Sequence, residues 1–248
     1  MTVDPAGGEE ARRAELEHNL ATVRGRIADA CARATRSSDE VTLTVVTKFF
    51  PASDVRLLAG LGVTHVGENR HQEAEAKHAA CVDLGLVWHF IGGLQSNKAA
   101  AVAGYADVVE SVDRPKLLPG LARGAHGAGR PVDVLVQVNL DPDGRPGEPG
   151  SSGGRAGVAP SDVEALATRV AQTEGLRLRG VMAVAPLGED PVPAFAKLAD
   201  VASAVRRIEP GATWISAGMS GDLDAAVESG ATHVRIGSAV LGARPSGR

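Results

Sequence analysis

The stretch Val41-Thr-Leu-Thr-Val-Val-Thr-Lys48 decides how the rest of the chain is interpreted. Its β-branched and aliphatic residues predict a buried strand, because branched side chains pack well on a pleated sheet. Pro51 closes the stretch. Side chains alternate along a strand, so Thr44, Val46 and Lys48 share one face. A buried ammonium group is costly unless it is solvated, paired or neutral, so Lys48 either reaches water or belongs to a site.

The composition is that of a globular protein and excludes several classes of function. The chain has 248 residues, of which 44% are hydrophobic and 23% charged, and its formal net charge is −4. The charge predicts no nucleic-acid partner, and no apolar run approaches the ~18 residues that a membrane span needs. The start of the chain does not resemble a signal peptide. Cys31 and Cys81 lie in no metal or redox spacing, so we expect reduced thiols, no metal site and a cytoplasmic location.

Strands and helices are predicted to alternate along the chain. An N-terminal segment, residues 1–40, carries apolar residues at helical spacing over positions 9–36 and predicts an amphipathic helix. Ser53 is the expected N-cap of the helix after the first strand. Eight predicted strands cover residues 41–48, 64–69, 86–91, 106–112, 132–139, 178–184, 213–216 and 233–236. Eight βα units predict one α/β domain over residues 1–248, a (β/α)8 TIM barrel.

One segment interrupts this alternation. Residues 141–157 consist mainly of glycine, proline and serine, and they contain almost no apolar side chain. The composition predicts a flexible surface loop, which is long for a compact domain.

Polar and cationic residues fall where the predicted strands end. In a (β/α)8 barrel the carboxyl ends of the strands and the loops that follow form the active face. Each residue alone has a structural explanation, such as a core methionine or a hydrogen-bonded histidine. Together they predict a site, and they are Lys48, Asn69, His89, Met182, Ser216 and Arg235.

The loops after the seventh and eighth strands predict a phosphate site. They contain Ser216-Ala-Gly-Met-Ser-Gly-Asp222 and Arg235-Ile-Gly-Ser238. Glycines let the backbone approach an anion, hydroxyls donate hydrogen bonds, and helix N-termini add a favourable partial charge. Tight turns are the structural alternative. A lysine that faces a phosphate site suggests a Schiff base with a phosphorylated aldehyde or ketone, either a sugar phosphate or pyridoxal phosphate.

Arg235 bears on the choice between these two ligands. Its guanidinium is always protonated and only donates hydrogen bonds, so beside a pyridine nitrogen it would keep that nitrogen unprotonated. An unprotonated ring is a weaker electron sink. With pyridoxal phosphate, this arginine would therefore discourage carbanion chemistry.

Several segments of the chain resemble the signatures of the pyridoxal phosphate homeostasis proteins, which are single-domain relatives of the alanine racemase barrel. The segments follow one another in the family's order and spacing between Val41 and Arg244. They are Val45–Lys48, Gly67–Asn69, Trp88–Gly92, Leu94–Lys98, Leu178–Met182, Gly218–Asp222 and Val234–Gly237.

The resemblance implies a barrel like the alanine racemase N-terminal domain, in which Lys48 holds pyridoxal 5′-phosphate as a Schiff base. It implies a role in vitamin B6 and amino-acid homeostasis. It also implies that Arg235 faces the ring nitrogen and that Asn69 and Met182 line the pocket. The residues expected around the phosphate or ring are Ser216, Gly218, Met219, Ser220, Gly237 and Ser238, and His89 completes the candidate set.

The residues leave three functions to compare: a cofactor carrier, a racemase-like enzyme and a sugar-phosphate aldolase. A racemase needs two bases, one on each face of the substrate carbanion. Tyr105, the only tyrosine, precedes the fourth predicted strand and is expected at the opposite end of the barrel. That leaves His89 or a group on the substrate as a weak second base. We therefore expect a monomeric carrier or buffer of the cofactor, with apo pyridoxal phosphate enzymes as recipients. A racemase-like enzyme and a lysine-dependent sugar-phosphate aldolase are the alternatives.

Overall fold

Short apolar runs form the strands of a parallel sheet. The computed structural model describes residues 5–141 and 156–244, so most of the predicted 141–157 loop lies outside the described residues. The strands are β1 Thr42–Val46, β2 His65–Glu68, β3 Val87–Phe90, β4 Val108–Val112, β5 Val132–Gln137, β6 Leu176–Met182, β7 Trp214–Ser216 and β8 His233–Ile236.

Helices follow the strands on the outside of the sheet. In the described part of the chain they are α1 Pro5–Arg33, α2 Ala52–Gly60, α3 His71–Ala80, α4 Ala99–Tyr105, α5 Leu118–Gly127, α6 Val163–Ala171, α7 Pro191–Ile208, α8 Leu223–Glu228 and α9 Ser238–Leu241. None of these helices is both long enough and apolar enough to cross a membrane.

The strands pair in chain order and close into a barrel. All pairs are parallel, and β8 returns to β1, with Thr42 opposite His233 and Thr44 opposite Arg235. This confirms the predicted (β/α)8 barrel. Because all strands point the same way, their carboxyl ends meet on one face.

The two faces of β1 differ as the sequence predicts. Val45 points outward and packs with α1 residues such as Leu16 and Leu20. Thr44 and Val46 point inward, since a Cβ added to Gly67 of β2 would lie 3.2 Å from the Thr44 methyl group and 3.5 Å from a Val46 methyl group. The alternation continues to Lys48, whose side chain faces the open carboxyl end of the barrel.

Seven of the eight strands differ from the predicted bounds by one or two residues at one or both ends. Strand β1 ends at Val46, so Lys48 lies in the turn that follows the strand.

Three further differences concern caps and starts of elements. Pro51, not Ser53, is the N-cap of α2, and no side chain caps this helix, because Ser53 lies inside its first turn. Strand β6 starts two residues earlier than expected, at Leu176, because Leu176 and Arg177 already pair with Val132 and Asp133 of β5. The Arg177 side chain also forms a 2.6 Å ion pair with Asp133. Helix α1 begins at Pro5, ahead of its first apolar contact.

Candidate functional site

A cavity of about 400 Å³ opens at the carboxyl ends of β1 and β8, and its size suits a small organic ligand. Its wall brings together six residues that the sequence predicted. They are Lys48, Met219, Ser220, Arg235, Gly237 and Ser238. The wall also contains Val46, Phe49, Phe50, Ile91, Gly221, Gly242 and Arg244, which the prediction missed. The sequence could have predicted Phe49 and Phe50 as wall residues, because they directly follow Lys48.

The Lys48 ammonium group points into this cavity without a polar partner. Within the described residues it forms no hydrogen bond or ion pair, and its Nζ lies 5.8 Å from the centroid of the Phe49 ring. The Arg244 guanidinium lies over the same ring, with Cζ 3.8 Å from the centroid. The amine is therefore available to a ligand.

Arg235 reaches the cavity from deep inside the barrel. It is buried, and its guanidinium donates to Ser216 Oγ at 2.7 Å and to the Ala183 carbonyl oxygen at 2.8 Å. Burial lowers the pKa of Arg235, and the nearby Glu110 carboxylate opposes that effect. An arginine remains protonated in proteins, so the guanidinium is a fixed cation at the cavity wall.

Glu110 is the buried counter-charge that sequence reasoning missed. It lies on β4 and is fully buried, with Oε2 3.8 Å from the Arg235 guanidinium. Ser216 donates its hydroxyl proton to Oε2 at 2.6 Å. Burial by itself raises the pKa of Glu110, but the hydrogen bond from His89 and the charges of His89 and Arg235 outweigh it and lower the pKa to about 2. Glu110 is therefore ionised at neutral pH.

His89 belongs to this buried network and does not line the cavity. Its Nδ1 lies 2.7 Å from Glu110 Oε1, so Nδ1 carries the proton and donates it. Its Nε2 lies 2.9 Å from His65 Nδ1. Burial lowers the pKa of His65 to about 4, so His65 is neutral at neutral pH and can either donate to this nitrogen or accept from it. Both ring nitrogens of His89 are therefore occupied by protein groups.

The loops after β7 and β8 form one rim of the cavity. The hydroxyls of Ser220 and Ser238 lie 3.3 Å apart. Asp222 holds the first loop, because its Oδ1 accepts the Met219 backbone N–H at 2.6 Å. At Gly237 an added Cβ would lie 3.3 Å from the Val46 carbonyl oxygen, so a side chain here would crowd β1. These loops present hydroxyls and backbone at the cavity, as the sequence predicted.

The other predicted residues do not line this cavity. Ser216 and Met182 are buried and lie opposite each other on β7 and β6, and Ser216 accepts a hydrogen bond from Arg235. Gly218 is also buried, in a left-handed conformation with φ of +92°, and its carbonyl oxygen accepts the Arg235 backbone N–H. Asn69 lines a neighbouring cavity of about 420 Å³.

Comparison with known proteins identifies the family. The alanine racemase N-terminal domain family matches residues 12–245. The pyridoxal phosphate homeostasis protein of Mycobacterium bovis is 42% identical over 94% of both chains. The protein of the same name from Pseudomonas aeruginosa is 40% identical over 94% of this chain and 97% of its own. This chain belongs to the pyridoxal phosphate homeostasis family.

Solved structures agree with this assignment. PipY of Synechococcus elongatus, crystallised with PLP bound, is 34% identical and superposes with a TM-score of 0.77 over 92% of this chain and all of its own. Alanine racemase from Corynebacterium glutamicum is 13% identical, has a TM-score of 0.68 and shares the fold. The present chain matches 63% of that racemase. This chain therefore shares the barrel fold of that racemase.

The sequence predicted that Tyr105 lies at the end of the barrel opposite Lys48. The backbone of Tyr105 lies there, but its side chain extends to the start of another helix. Its backbone ends α4, immediately before β4, at the amino end of the barrel. Its buried side chain packs between helices, and its hydroxyl lies 3.5 Å from His71 Nδ1 at the start of α3. Tyr105 does not line the cavity that contains Lys48.

We expect Glu110→Ala to lower the free energy of unfolding by about 3 to 5 kcal/mol, because it leaves the Arg235 cation buried without its carboxylate. Glu110→Gln should lose less, since the amide keeps an acceptor oxygen for His89. Urea unfolding monitored by circular dichroism measures both. Glu164→Ala is the control, because Glu164 is exposed and lies 4.0 Å from Arg207. Equal losses for Glu110→Ala and Glu164→Ala would contradict this account.

The buried histidines predict acid destabilisation. Burial lowers the pKa of His233 to about 3 and that of His65 to about 4. Unfolded histidines take up protons near pH 6.5, while the folded ones stay neutral. The free energy of unfolding should therefore fall as the pH decreases from about 6.5 to about 4, by up to about 1.4 kcal/mol per pH unit for each histidine.

Urea unfolding across this pH range tests the prediction. His233→Gln removes one titrating group and should reduce the slope of the free energy of unfolding against pH. His18→Gln, which changes an exposed histidine on α1, is the control for loss of an imidazole outside the barrel. A slope that is identical in the wild type and in His233→Gln would show that His233 does not contribute.

Proposed function

We propose that this chain binds pyridoxal 5′-phosphate on Lys48 and takes part in vitamin B6 and amino-acid homeostasis as a carrier or buffer of the cofactor. The observation that carries the proposal is the convergence of an amine, a guanidinium and two serine hydroxyls on one cavity: Lys48, Arg235, Ser220 and Ser238. The names of the related proteins and the PLP in the PipY structure support the choice of ligand.

The groups in the cavity wall fit this cofactor. Lys48 supplies an amine that can attack an aldehyde carbon, forming a C=N bond with loss of water. Ser220, Ser238 and the glycine backbone of their loops supply donors for a phosphate, and Arg235 supplies a donor that suits an unprotonated ring nitrogen. Phe49, Phe50 and Ile91 supply apolar surface. The cofactor, when bound, supplies an electrophilic aldehyde and a conjugated ring.

The cavity wall favours a carrier over an amino-acid racemase. Its described residues include no tyrosine, histidine, cysteine, aspartate or glutamate, so Lys48 has no partner base across the cavity. Arg235 would also leave the ring nitrogen of the bound cofactor unprotonated, which would weaken the ring as an electron sink. Both properties suit reversible storage of the cofactor better than removal of a substrate proton.

The remaining parts of the proposal concern partners and cellular context. We propose that apo enzymes receive the cofactor and that the chain acts as a monomer in the cytoplasm. Only four large hydrophobic side chains are exposed in the described residues, and this small number supports a monomer; they are Val82, Leu187, Val192 and Met219. Cys31 and Cys81 are both buried and unpaired, which suits a reducing compartment.

Lys48→Ala should abolish covalent attachment of pyridoxal phosphate, because this lysine is the only one in the cavity wall among the described residues. The wild type, mixed with the cofactor and reduced with borohydride, should carry the adduct on the peptide that contains Lys48. Absorbance spectra and peptide mass mapping measure this. Lys98→Ala is the matched control, because Lys98 lines the neighbouring cavity, and it should retain the adduct. An adduct spread over surface lysines would refute the proposed site.

Arg235→Gln should change the absorbance spectrum of the bound cofactor and its dependence on pH while leaving attachment to Lys48 in place. Glutamine is neutral, so it removes the fixed cation next to the ring and allows the ring nitrogen to take up a proton. A pH titration of the spectrum, run beside the wild type, measures the effect. Identical titrations would place the arginine away from the ring.

A further inference from the structure

A buried ammonium group lies beneath the turn that carries Lys48. Lys77 on α3 is 6% exposed. Its Nζ donates to the Thr47 carbonyl oxygen at 2.9 Å, to Glu68 Oε1 at 2.6 Å and to Glu73 Oε1 at 3.1 Å. Lysines are almost never fully buried unless they are paired, so these contacts hold Lys77 in place. We call Glu68, Glu73 and Lys77 the β1 clamp.

The β1 clamp is bonded to the residues immediately before and after Lys48. The Thr47 hydroxyl donates to Glu68 Oε1 at 2.6 Å, and the carbonyl oxygen of the same residue accepts from Lys77. On the other side, the Phe49 backbone N–H donates to Glu73 Oε1 at 2.6 Å. Lys48 therefore sits between two backbone groups that are fixed by one set of charged side chains.

Phe49 needs such support because its backbone is left-handed. Its φ is +73°. A bulky residue adopts the left-handed conformation only at a steric cost. The conformation persists where surrounding contacts outweigh that cost. The hydrogen bond to Glu73 is one such contact. This turn sends the chain away from β1 while the Lys48 side chain stays in the cavity.

We infer that the β1 clamp is a positioning device for Lys48 and that Glu73 is the positioning residue that holds the left-handed turn at Phe49. None of the three clamp residues lines the cavity, so they act through the backbone. The inference rests on the proposed function only in taking Lys48 as the reacting amine. We infer that the clamp increases the rate at which the Lys48 amine reacts with an electrophile.

Two substitutions at Glu73 separate its hydrogen bond from its charge. Glu73→Ala removes the acceptor for the Phe49 N–H, and Glu73→Gln keeps an acceptor oxygen without the charge. We expect adduct formation with pyridoxal phosphate to become about tenfold slower in Glu73→Ala and to change less than about twofold in Glu73→Gln. Absorbance kinetics, followed by borohydride reduction and mapping of Lys48, give the rates. Glu75→Ala, an exposed position on the same helix, should match the wild type.

A glycine at position 49 tests whether the turn is the link. Glycine adopts a positive φ without the steric cost. In the Phe49→Gly background, Glu73→Ala should therefore slow adduct formation by less than about twofold. If Glu73→Ala alone fails to fold, the double variant should fold. The inference is overturned if the tenfold effect persists in this background, if the double variant fails to fold, or if the alanine and glutamine variants are equally slow.

Labelling with acetic anhydride separates failure of this inference from failure of the proposed function. If wild-type Lys48 forms no adduct with pyridoxal phosphate, the proposed function is wrong. The acetylation rate of Lys48 in the cofactor-free protein, measured for the same variants, then decides the role of the clamp. A changed rate in Glu73→Ala, with an unchanged rate in Glu75→Ala, supports the clamp. Equal rates in the wild type and Glu73→Ala overturn it.

Discussion

The site depends on the burial of the Arg235 cation inside the barrel. Taking a guanidinium out of water costs several kcal/mol, and the protein must return that free energy through charge and hydrogen bonds. Glu110 supplies the charge, while Ser216 and the Ala183 carbonyl oxygen accept from the guanidinium. These partners come from β4, β7 and the end of β6, so closing the barrel assembles the network. The cavity therefore has a fixed cation in its wall before any ligand arrives.

The sequence predicted the barrel and two of the three cationic residues in the cavity wall, because those features depend on local patterns. Lys48 ends an alternating apolar strand, and Arg235 stands inside an apolar run, so each is unusual in its own segment. Glu110 was missed because it lies inside β4, whereas the expected site residues lie at or near the carboxyl ends of their strands. Its partner Ser216 lies 106 positions further along the chain. Only the closed barrel brings the two together.

His89 and Phe49 show a second limit of sequence reasoning. The sequence predicted the position of His89 near the end of a strand. The sequence pattern does not distinguish a histidine that contacts a ligand from one that forms buried hydrogen bonds within the protein. Its two nitrogens are taken by Glu110 and His65. The sequence pattern also could not predict the left-handed backbone of Phe49. The residue that stabilises this conformation, Glu73, lies on α3, 24 positions further along the chain. Both roles depend on contacts between separate βα units.

Two charged networks of opposite kind support the cavity. A carboxylate lies at the centre of one, Glu110 with Arg235 and His89, and an ammonium group at the centre of the other, Lys77 with Glu68 and Glu73. In each network the carboxylates form ion pairs with neighbouring side chains. None of these carboxylates lines the cavity. The described wall is left with three cationic side chains and no carboxylate. That asymmetry favours an anionic ligand before any specific contact forms, and it leaves the chemistry to a single amine.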